Sequence, residues 1–473
     1  MTFQELRAKY NKIIFHGWWT ERREGRLTLE FDYELVASES ENDNIRFKHC
    51  LSLARRQGSL KNVDGLDGLI LRIGVMELIN YWKLACPAVI ELKCGYLSDD
   101  EQVFWRKLIY KGLGEFIYLN RLHLPEVAGF VLTDKNIVEF VTNPNKKFER
   151  IELTDDLSGN LIAVGGGKDS VVSLEVLRNQ KADNLPLIVN AQWLKNNDEA
   201  LYGDAAADCV KIAGYDDGLE IDRMIDPKLM ELNQQGFLNG HVPFSAILAF
   251  ISVLGAVLTG KKNVVMSNES SANESSVPGT DFNHQYSKSV EFEADFRNFL
   301  NKFVLTGVEY FSLLRPLEEL QIAELFSHYQ QYHQDFRSCN VGKRTNTWCG
   351  RCPKCLFVFI MLAAFMDYSD VVAIFNKDLL ADSKLRFIFR QLLGLEETKP
   401  FECVGTVSEV RRAMRMIVER NWSEADAADL PVLVQEFITA KLPDLAMIVN
   451  EQHFVPKELL TKLIDEEKKY GLL

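Results

Sequence analysis

The stretch Leu161-Ile162-Ala163-Val164-Gly165-Gly166-Gly167-Lys168-Asp169-Ser170-Val171-Val172-Ser173-Leu174 decides the fold. A short apolar β-type run meets three glycines, then Lys-Asp-Ser, then an apolar pattern of helical period. It therefore predicts a strand, a tight turn and a helix N-terminus. Glycine has no Cβ, so its backbone can press against a ligand. Free N–H groups at a helix start, aided by the helix dipole, attract an anion such as phosphate. Asp169 and Ser170 suit the capping region of that helix.

Outward from this stretch, strands and helices alternate. Leu185 to Gln192 is an apolar second strand, Glu199 to Ala213 a helix, Leu219 to Ile225 a third strand and Asn263 to Met266 a fourth. That rhythm predicts a mainly parallel α/β sheet with right-handed crossovers. Ligands in such sheets bind beyond the carboxyl ends of the strands. Gly165 to Ser170, Asn190-Ala191 and Ser267 to Ser276 are thereby placed around one crevice. Asn268-Glu269-Ser270-Ser271 recurs as Asn273-Glu274-Ser275-Ser276. This is either a polar surface loop or a set of carboxylates and hydroxyls suited to a hard cation or substrate. Asn239-Gly240-His241-Val242-Pro243 opens the next helix and could close over a nucleotide. From Val242 to Gly260 the chain carries no charge and is long enough to cross a bilayer. It runs at once into the strand Asn263–Met266, however, so a buried helix is expected and no membrane partner.

A chain of 473 residues suggests about two to four domains. Its 47% hydrophobic and 26% charged residues belong to a globular protein with large cores. A net charge of −13 argues against nucleic acid as the main partner. The N-terminus Met-Thr-Phe-Gln-Glu-Leu-Arg has no apolar h-region, so a cytoplasmic location without a signal peptide is expected.

In the first region, Arg26 to Leu35 alternates polar and apolar as a half-buried strand does, and Gly68–Leu84 and Glu101–Leu122 have helical patterns. Tyr81-Trp82-Lys83 and Trp105-Arg106-Lys107 set aromatics beside cations. They are either core rings with solvated charges, or a face for an anionic, ring-bearing substrate with Trp82, Lys83 and Arg106 as contacts.

Cys339, Cys349, Cys352 and Cys355 follow the pattern Cys-x9-Cys-x2-Cys-x2-Cys. Short spacings let neighbouring thiolates reach one ion and the distant fourth closes a tetrahedron, so structural Zn2+ is expected, with an iron–sulfur cluster as the rival. Cys50, Cys86, Cys94, Cys209 and Cys403 are scattered and expected to be buried. Leu356 to Met366 is a short apolar helix beside the knuckle. Helical periods follow at Leu379–Leu393, Val407–Glu419, Leu430–Ala440 and Pro456–Lys468, with no motif that carries chemistry.

The glycine stretch departs from the Walker pattern, which needs four residues between its glycines and Lys-Ser/Thr after the second. It resembles the PP-loop of the ATP pyrophosphatases, Ser-Gly-Gly-x-Asp-Ser. Gly165 takes the place of Ser, and Gly166, Gly167, Asp169 and Ser170 match. With the cysteines added, the chain resembles 7-cyano-7-deazaguanine synthase, which is far shorter. As a whole it is more similar to the UDP-N-acetylmuramoyl-L-alanyl-L-glutamate epimerase family. That likeness rests on Gly165–Ser170, Glu77–Lys83, Gly112–Asn120, Ser267–Ser271 and Trp348–Cys355.

The resemblance implies a PP-loop parallel sheet of HUP type wound by helices, over residues 156–335. An α+β N-terminal domain (1–155) for the UDP-sugar peptide, a zinc knuckle with its helix (336–375) and a helical C-terminal domain (376–473) complete the chain. It implies ATP as co-substrate with Mg2+, structural Zn2+, and a UDP-linked dipeptide as partner, in peptidoglycan precursor synthesis. ATP would adenylate the α-carboxylate of the terminal L-glutamate, and proton transfer at its Cα would follow. The ATP site would comprise Gly165, Gly166, Gly167, Lys168, Asp169, Ser170, Asn190, Ala191, His241, Ser267 and Asn268. Lys168, Asp169, Ser170 and Glu269 are the candidate catalytic groups. Glu269, Glu274, His241, His284 and Cys209 all remain open for acid–base work. Another PP-loop ligase or amidase, or a tRNA thiolase, is the alternative.

Overall fold

The computed structural model describes residues 1–153, 157–193, 205–342, 345–423, 429–443, 445 and 452–472. Twelve strands are defined among them: β1 Tyr10–Arg23, β2 Arg26–Ala37, β3 Ile45–Arg55, β4 Val89–Leu92, β5 Glu139–Thr142, β6 Ile151–Glu152, β7 Asn160–Ala163, β8 Asn184–Trp193, β9 Leu219–Ile225, β10 Asn263–Met266, β11 Leu305–Thr306 and β12 Glu309–Ser312. Ten of these form one sheet in the order β12-β10-β7-β8-β9-β3-β2-β1-β4-β5, and β6 pairs with β11 apart from it. From β12 to β9 every neighbour is parallel. The expected wound half is therefore present, with all four of its predicted strands.

The half-buried strand expected at Arg26–Leu35 is β2, with alternating burial along its length. It forms a hairpin with β1 through Glu24 and Gly25, both at positive φ, as tight antiparallel turns require. β3 then pairs antiparallel with β9 and covers what would otherwise be the edge of the parallel half. One sheet thus runs unbroken from the first region into the region of the glycine loop.

Side chains on successive residues of a strand point to opposite faces. Leu161, Val264 and Tyr310 join one hydrophobic core, while Ile162, Val265 and Phe311 join the other. The first core lies under the helices Asp67–Trp82 and Phe244–Thr259. The second holds the helices Lys168–Val176 and Pro353–Ala363 and the C-terminal helices. Phe244–Thr259 is the uncharged segment, almost wholly buried, with Pro243 as its cap and Gly260 closing it in the left-handed conformation. Among the described residues no helix is long and apolar enough to cross a membrane.

Boundaries shift where local chemistry intervenes. The helix expected over Glu101–Leu122 breaks at Leu113, between Gly112 and Gly114, into Asp99–Gly112 and Gly114–Leu119. The helix expected over Leu379–Leu393 is shortened to Arg386–Leu392, because Asp382 caps a separate 3-10 turn at Ser383–Leu385. The helix Tyr368–Phe375 lies outside every predicted span. For the helix expected over Glu199–Ala213, residues 199–204 lie outside the described residues and Ala205–Ile212 is helical.

A buried polar knot ties the first region to the wound half. Arg223 Nε donates to Glu77 Oε1 at 2.8 Å and its Nη2 to Glu77 Oε2 at 2.6 Å, with His49 Nε2 3.4 Å from the same carboxylate. Burial pushes the Glu77 carboxyl up, but Arg223 and His49 outweigh it and hold it down at about 2. Folding stability from this group is therefore fully present above its ordinary 4.5 and is lost as pH falls through about 2. Arg223→Met should destabilise the protein by about 3–5 kcal/mol, since it leaves the Glu77 charge buried and unpaired. Adding Glu77→Leu should recover most of that loss in denaturant unfolding. Independent, additive effects would show that the two side chains do not act as a pair.

Candidate functional site

The strand order reverses at β7, whose neighbours β8 and β10 lie on opposite sides, so a crevice opens beyond its carboxyl end. The glycine loop leaves β7 at this point and the helix Lys168–Val176 begins from Gly167. No side chain caps that helix start, so capping by Asp169 is not observed and the first N–H groups stay available. Gly166 stands at φ +81°, and a Cβ there would lie 2.7 Å from the Ala206 nitrogen. A Cβ on Gly167 would lie 2.6 Å from Ser338 Oγ, whereas Gly165 faces open space. Glycine at 166 is thus demanded by the protein's own packing and backbone, while Gly165 and Gly167 both line the cavity.

Lys168 does not face the cavity as expected. It is 1% exposed and its ammonium is held by the carboxylates of Asp169 and Glu319. Burial pulls its pKa down, but those two carboxylates outweigh the effect and hold it above the ordinary lysine range. Asp169, Glu269 and Glu319 bring carboxylate oxygens within 4.8 Å of one another. Burial, with Asp169 and Glu269 beside it, lifts Glu319 to about 7 against the pull of Lys168. Glu269 Oε2 and Glu319 Oε1 are buried without a hydrogen-bond partner. Unpartnered oxygens in an acidic pocket fit a hard divalent cation.

A cavity of about 280 Å3 opens over the loop, lined by Gly165, Gly167, Asp169, Ser170, Ser267 and Asn268 among others. Ser170 donates to the Gly167 carbonyl at 2.9 Å, Ser267 shares a hydrogen bond with Ser173 at 2.8 Å, and Asn268 donates to Ser312 at 2.9 Å. Its cations are Lys288, Arg337 and Lys354, which sequence patterns did not single out as phosphate ligands. Asn190 lines an adjoining recess with Gly165 and donates to Asp222 at 3.1 Å; Ala191 follows it on β8. Of the duplicated acidic loop, only the first copy reaches the site. Glu274 instead pairs with Lys399, and the loop is a buried 3-10 turn rather than a mobile surface segment.

A second cavity, of about 450 Å3, shares Phe244, Ser245, Lys288, Asn340 and Cys403 with the first and reaches Glu115, His241 and His284. The first region contributes here through Glu115. Trp82, by contrast, is a core ring whose indole donates to the Pro87 carbonyl at 3.0 Å. Lys83 is buried and donates to the Gly240 carbonyl, which fixes the turn that carries His241. Arg106 is half-buried on its helix and lines neither cavity. None of these three lines either cavity. Cys209 lies beneath the loop, 3.9 Å from the Gly166 carbonyl.

His284 Nδ1 lies 2.5 Å from Glu115 Oε2, its ring is 4.1 Å from that of His241, and it lines the same cavity as Cys403. Burial pushes the Cys403 thiol up, but Lys288 and His284 overcome it and bring it down to about 7. Burial likewise works against the His284 cation, yet Cys403 and Glu115 raise it to about 9. Burial and the neighbouring His284 hold His241 well below the ordinary histidine range. Cys403 comes from the C-terminal region, where no chemical motif was visible. A lone cysteine in Phe401-Glu402-Cys403-Val404 carries no sequence signal of its own.

The four clustered cysteines converge as their spacing predicts. Sulfur separations are 3.8 Å for Cys339–Cys352, 3.7 Å for Cys349–Cys355 and 3.5 Å for Cys352–Cys355. Thiolates ~2.3 Å from one tetrahedral zinc stand ~3.8 Å apart, so these sulfurs suit a single ion. Cluster ligands bind different irons and stand farther apart. The knuckle adjoins the glycine loop, because the Arg337 amide donates to the Gly166 carbonyl at 2.7 Å.

An α/β sheet with a glycine loop at its switch point, a four-cysteine knuckle able to hold a metal ion and a polar double cavity define the class. The MurL N-terminal domain family model matches residues 4–313 and the MurL C-terminal domain model residues 335–447, and the chain belongs to this family. It is 35% identical over 416 residues to the UDP-N-acetyl-alpha-D-muramoyl-L-alanyl-L-glutamate epimerase of Xanthomonas oryzae pv. oryzae (strain MAFF 311018), covering 84% of this chain and 86% of that protein. Proteins of the same description from Micromonospora sp. (strain ATCC 39149 / NRRL 15099 / SCC 1413) and Salinispora tropica (strain ATCC BAA-916 / DSM 44818 / JCM 13857 / NBRC 105044 / CNB-440) are each 36% identical over 405 residues. Each match covers 84% of this chain, and 85% and 83% of the respective relatives. Deazaguanine-type ligase and tRNA thiolase give way to this family.

Proposed function

We propose that the chain epimerises the terminal L-glutamate of UDP-N-acetylmuramoyl-L-alanyl-L-glutamate, in the cytoplasm, through an acyl-adenylate made from ATP. The observation that carries this proposal is the continuity of two cavities. One has the glycine loop and three cations, and the other has an imidazole held by a carboxylate in a wall that includes a thiol. The two halves of the chemistry need these two environments side by side.

A free carboxylate repels the carbanion that forms at its neighbouring Cα. Once adenylated, the acyl group has lost that charge and can take the new one into its carbonyl oxygen. The N–H groups at the start of Lys168–Val176 and the cations Lys288, Arg337 and Lys354 stabilise the phosphates as pyrophosphate leaves. Asp169, Glu269 and Glu319 would hold Mg2+, which neutralises phosphate charge when bound. Lys168 balances that carboxylate group from below instead of contacting phosphate. Cys339, Cys349, Cys352 and Cys355 would hold Zn2+ and brace the wall of the ATP cavity. The UDP-linked peptide would enter past Glu115, His241 and Phe401.

The test is incubation with ATP, Mg2+ and the UDP-linked L-Ala-L-Glu substrate, with products separated and the glutamate chirality determined. AMP, pyrophosphate and D-glutamate are expected together. Steady release of ADP and phosphate would mean cleavage at another bond and would refute the adenylate.

A further inference from the structure

We infer that Cys403 is the base that removes the Cα proton, with His284 and Glu115 as its positioning pair. This rests on the adenylate mechanism proposed above. Cys403 lines both cavities, so it stands at the junction where an activated glutamyl group would join the ATP side to the peptide side. His284 holds Glu115 at 2.5 Å and lines the same cavity as the thiol, so the ring is fixed beside Cys403 and its charged form supported. Lys354 donates to the Cys403 carbonyl and anchors that backbone to the knuckle helix. Groups that bear on the thiol from its surroundings are Lys288, His284 and Lys354. Glu402 and His241 complete the charged and titratable wall around His284.

The arrangement favours a thiolate that is only partly open to solvent. Burial alone raises a thiol, yet here Lys288, His284 and Lys354 bring it down to about 7, so thiolate is available near neutrality. In the step, the Cys403 sulfur takes the proton from Cα and becomes a thiol. The C–H electron pair passes into the acyl carbonyl and forms an enolate. A proton from water on the opposite face makes the new C–H bond, and the thiol gives its proton to the hydroxide left behind. No oxidant or reductant is needed.

Two half-reactions separate this inference from the mechanism on which it depends. Exchange of labelled pyrophosphate into ATP, in the presence of the L-Ala-L-Glu substrate, reports adenylation alone. Uptake of deuterium at Cα from heavy water reports proton removal. Cys403→Ser should keep the exchange and lose about 10²–10⁴-fold in deuterium uptake and D-glutamate formation. His284→Gln should keep the exchange and move the alkaline-favoured rise of the epimerisation rate to higher pH, because the thiol loses its cationic partner. Retained deuterium uptake in Cys403→Ser would overturn the inference. So would loss of pyrophosphate exchange in both Cys403→Ser and Cys403→Ala, which would assign the residue to adenylation or structure. A hydroxylamine-sensitive acyl group on Cys403 would make it a nucleophile, not the base. Absence of exchange in the unaltered protein would instead refute the adenylate itself.

Discussion

Asp169→Asn should lower AMP and pyrophosphate release by about 10²–10³-fold while the protein still folds. The substitution keeps the size of the side chain and removes one of three clustered carboxylates. Lys168 keeps Glu319 as its partner, so no buried cation is stranded. No capping bond is lost either, because the helix start has no side-chain cap. The effect should therefore fall on the cation and phosphate chemistry. It is checked by pyrophosphate release across a Mg2+ titration, with circular dichroism as the folding control. A higher Mg2+ requirement is expected with the lower rate. A loss smaller than about tenfold, at every Mg2+ concentration, would remove Asp169 from the metal site.

Cys355→Ala should release the knuckle's metal and lower stability by more than about 4 kcal/mol. Cys355 is fully buried, opens the apolar helix Pro353–Ala363, and stands 3.5 Å from Cys352. That helix is at the centre of the second core, and Lys354 on it lines the loop cavity. Metal loss should therefore reach the active site as well as the fold. Elemental analysis should give about one zinc per chain in the unaltered protein and none in the variant, with a large drop in melting temperature. Iron with sulfide and a brown colour would replace zinc by a cluster. An unchanged melting temperature in a zinc-free variant would show that the ion does not hold the fold.

Local signals are legible where neighbouring residues make them. The strand–glycine–helix stretch needs only an apolar run, missing Cβ atoms and a helical period within a few residues, and its elements are found where the pattern puts them. The cysteine knuckle is legible for the same reason, since two-residue spacings bring thiolates to one ion. Gly260 as a helix stop and the strand after it follow from backbone preference alone. Trp82 and Lys83 show the limit. An aromatic beside a cation has the same sequence form whether it binds ligand or fills a core, and burial decides which.

The amino-acid order by itself therefore determined the α/β rhythm, the glycine loop and the thiolate cluster, because each is written in contacts of short range. Only the tertiary structure decided which cations line the cavity over the glycine loop. It turned Lys168 inward to Glu319, 151 positions along the chain, and brought Lys288, Arg337 and Lys354 to the wall. It alone joined Glu115, His284 and Cys403 across three separate parts of the chain. The physical reason is that a side chain's charge state and direction depend on what packs against it. Those partners are fixed by the closure of the sheet and its two cores, not by adjacent residues.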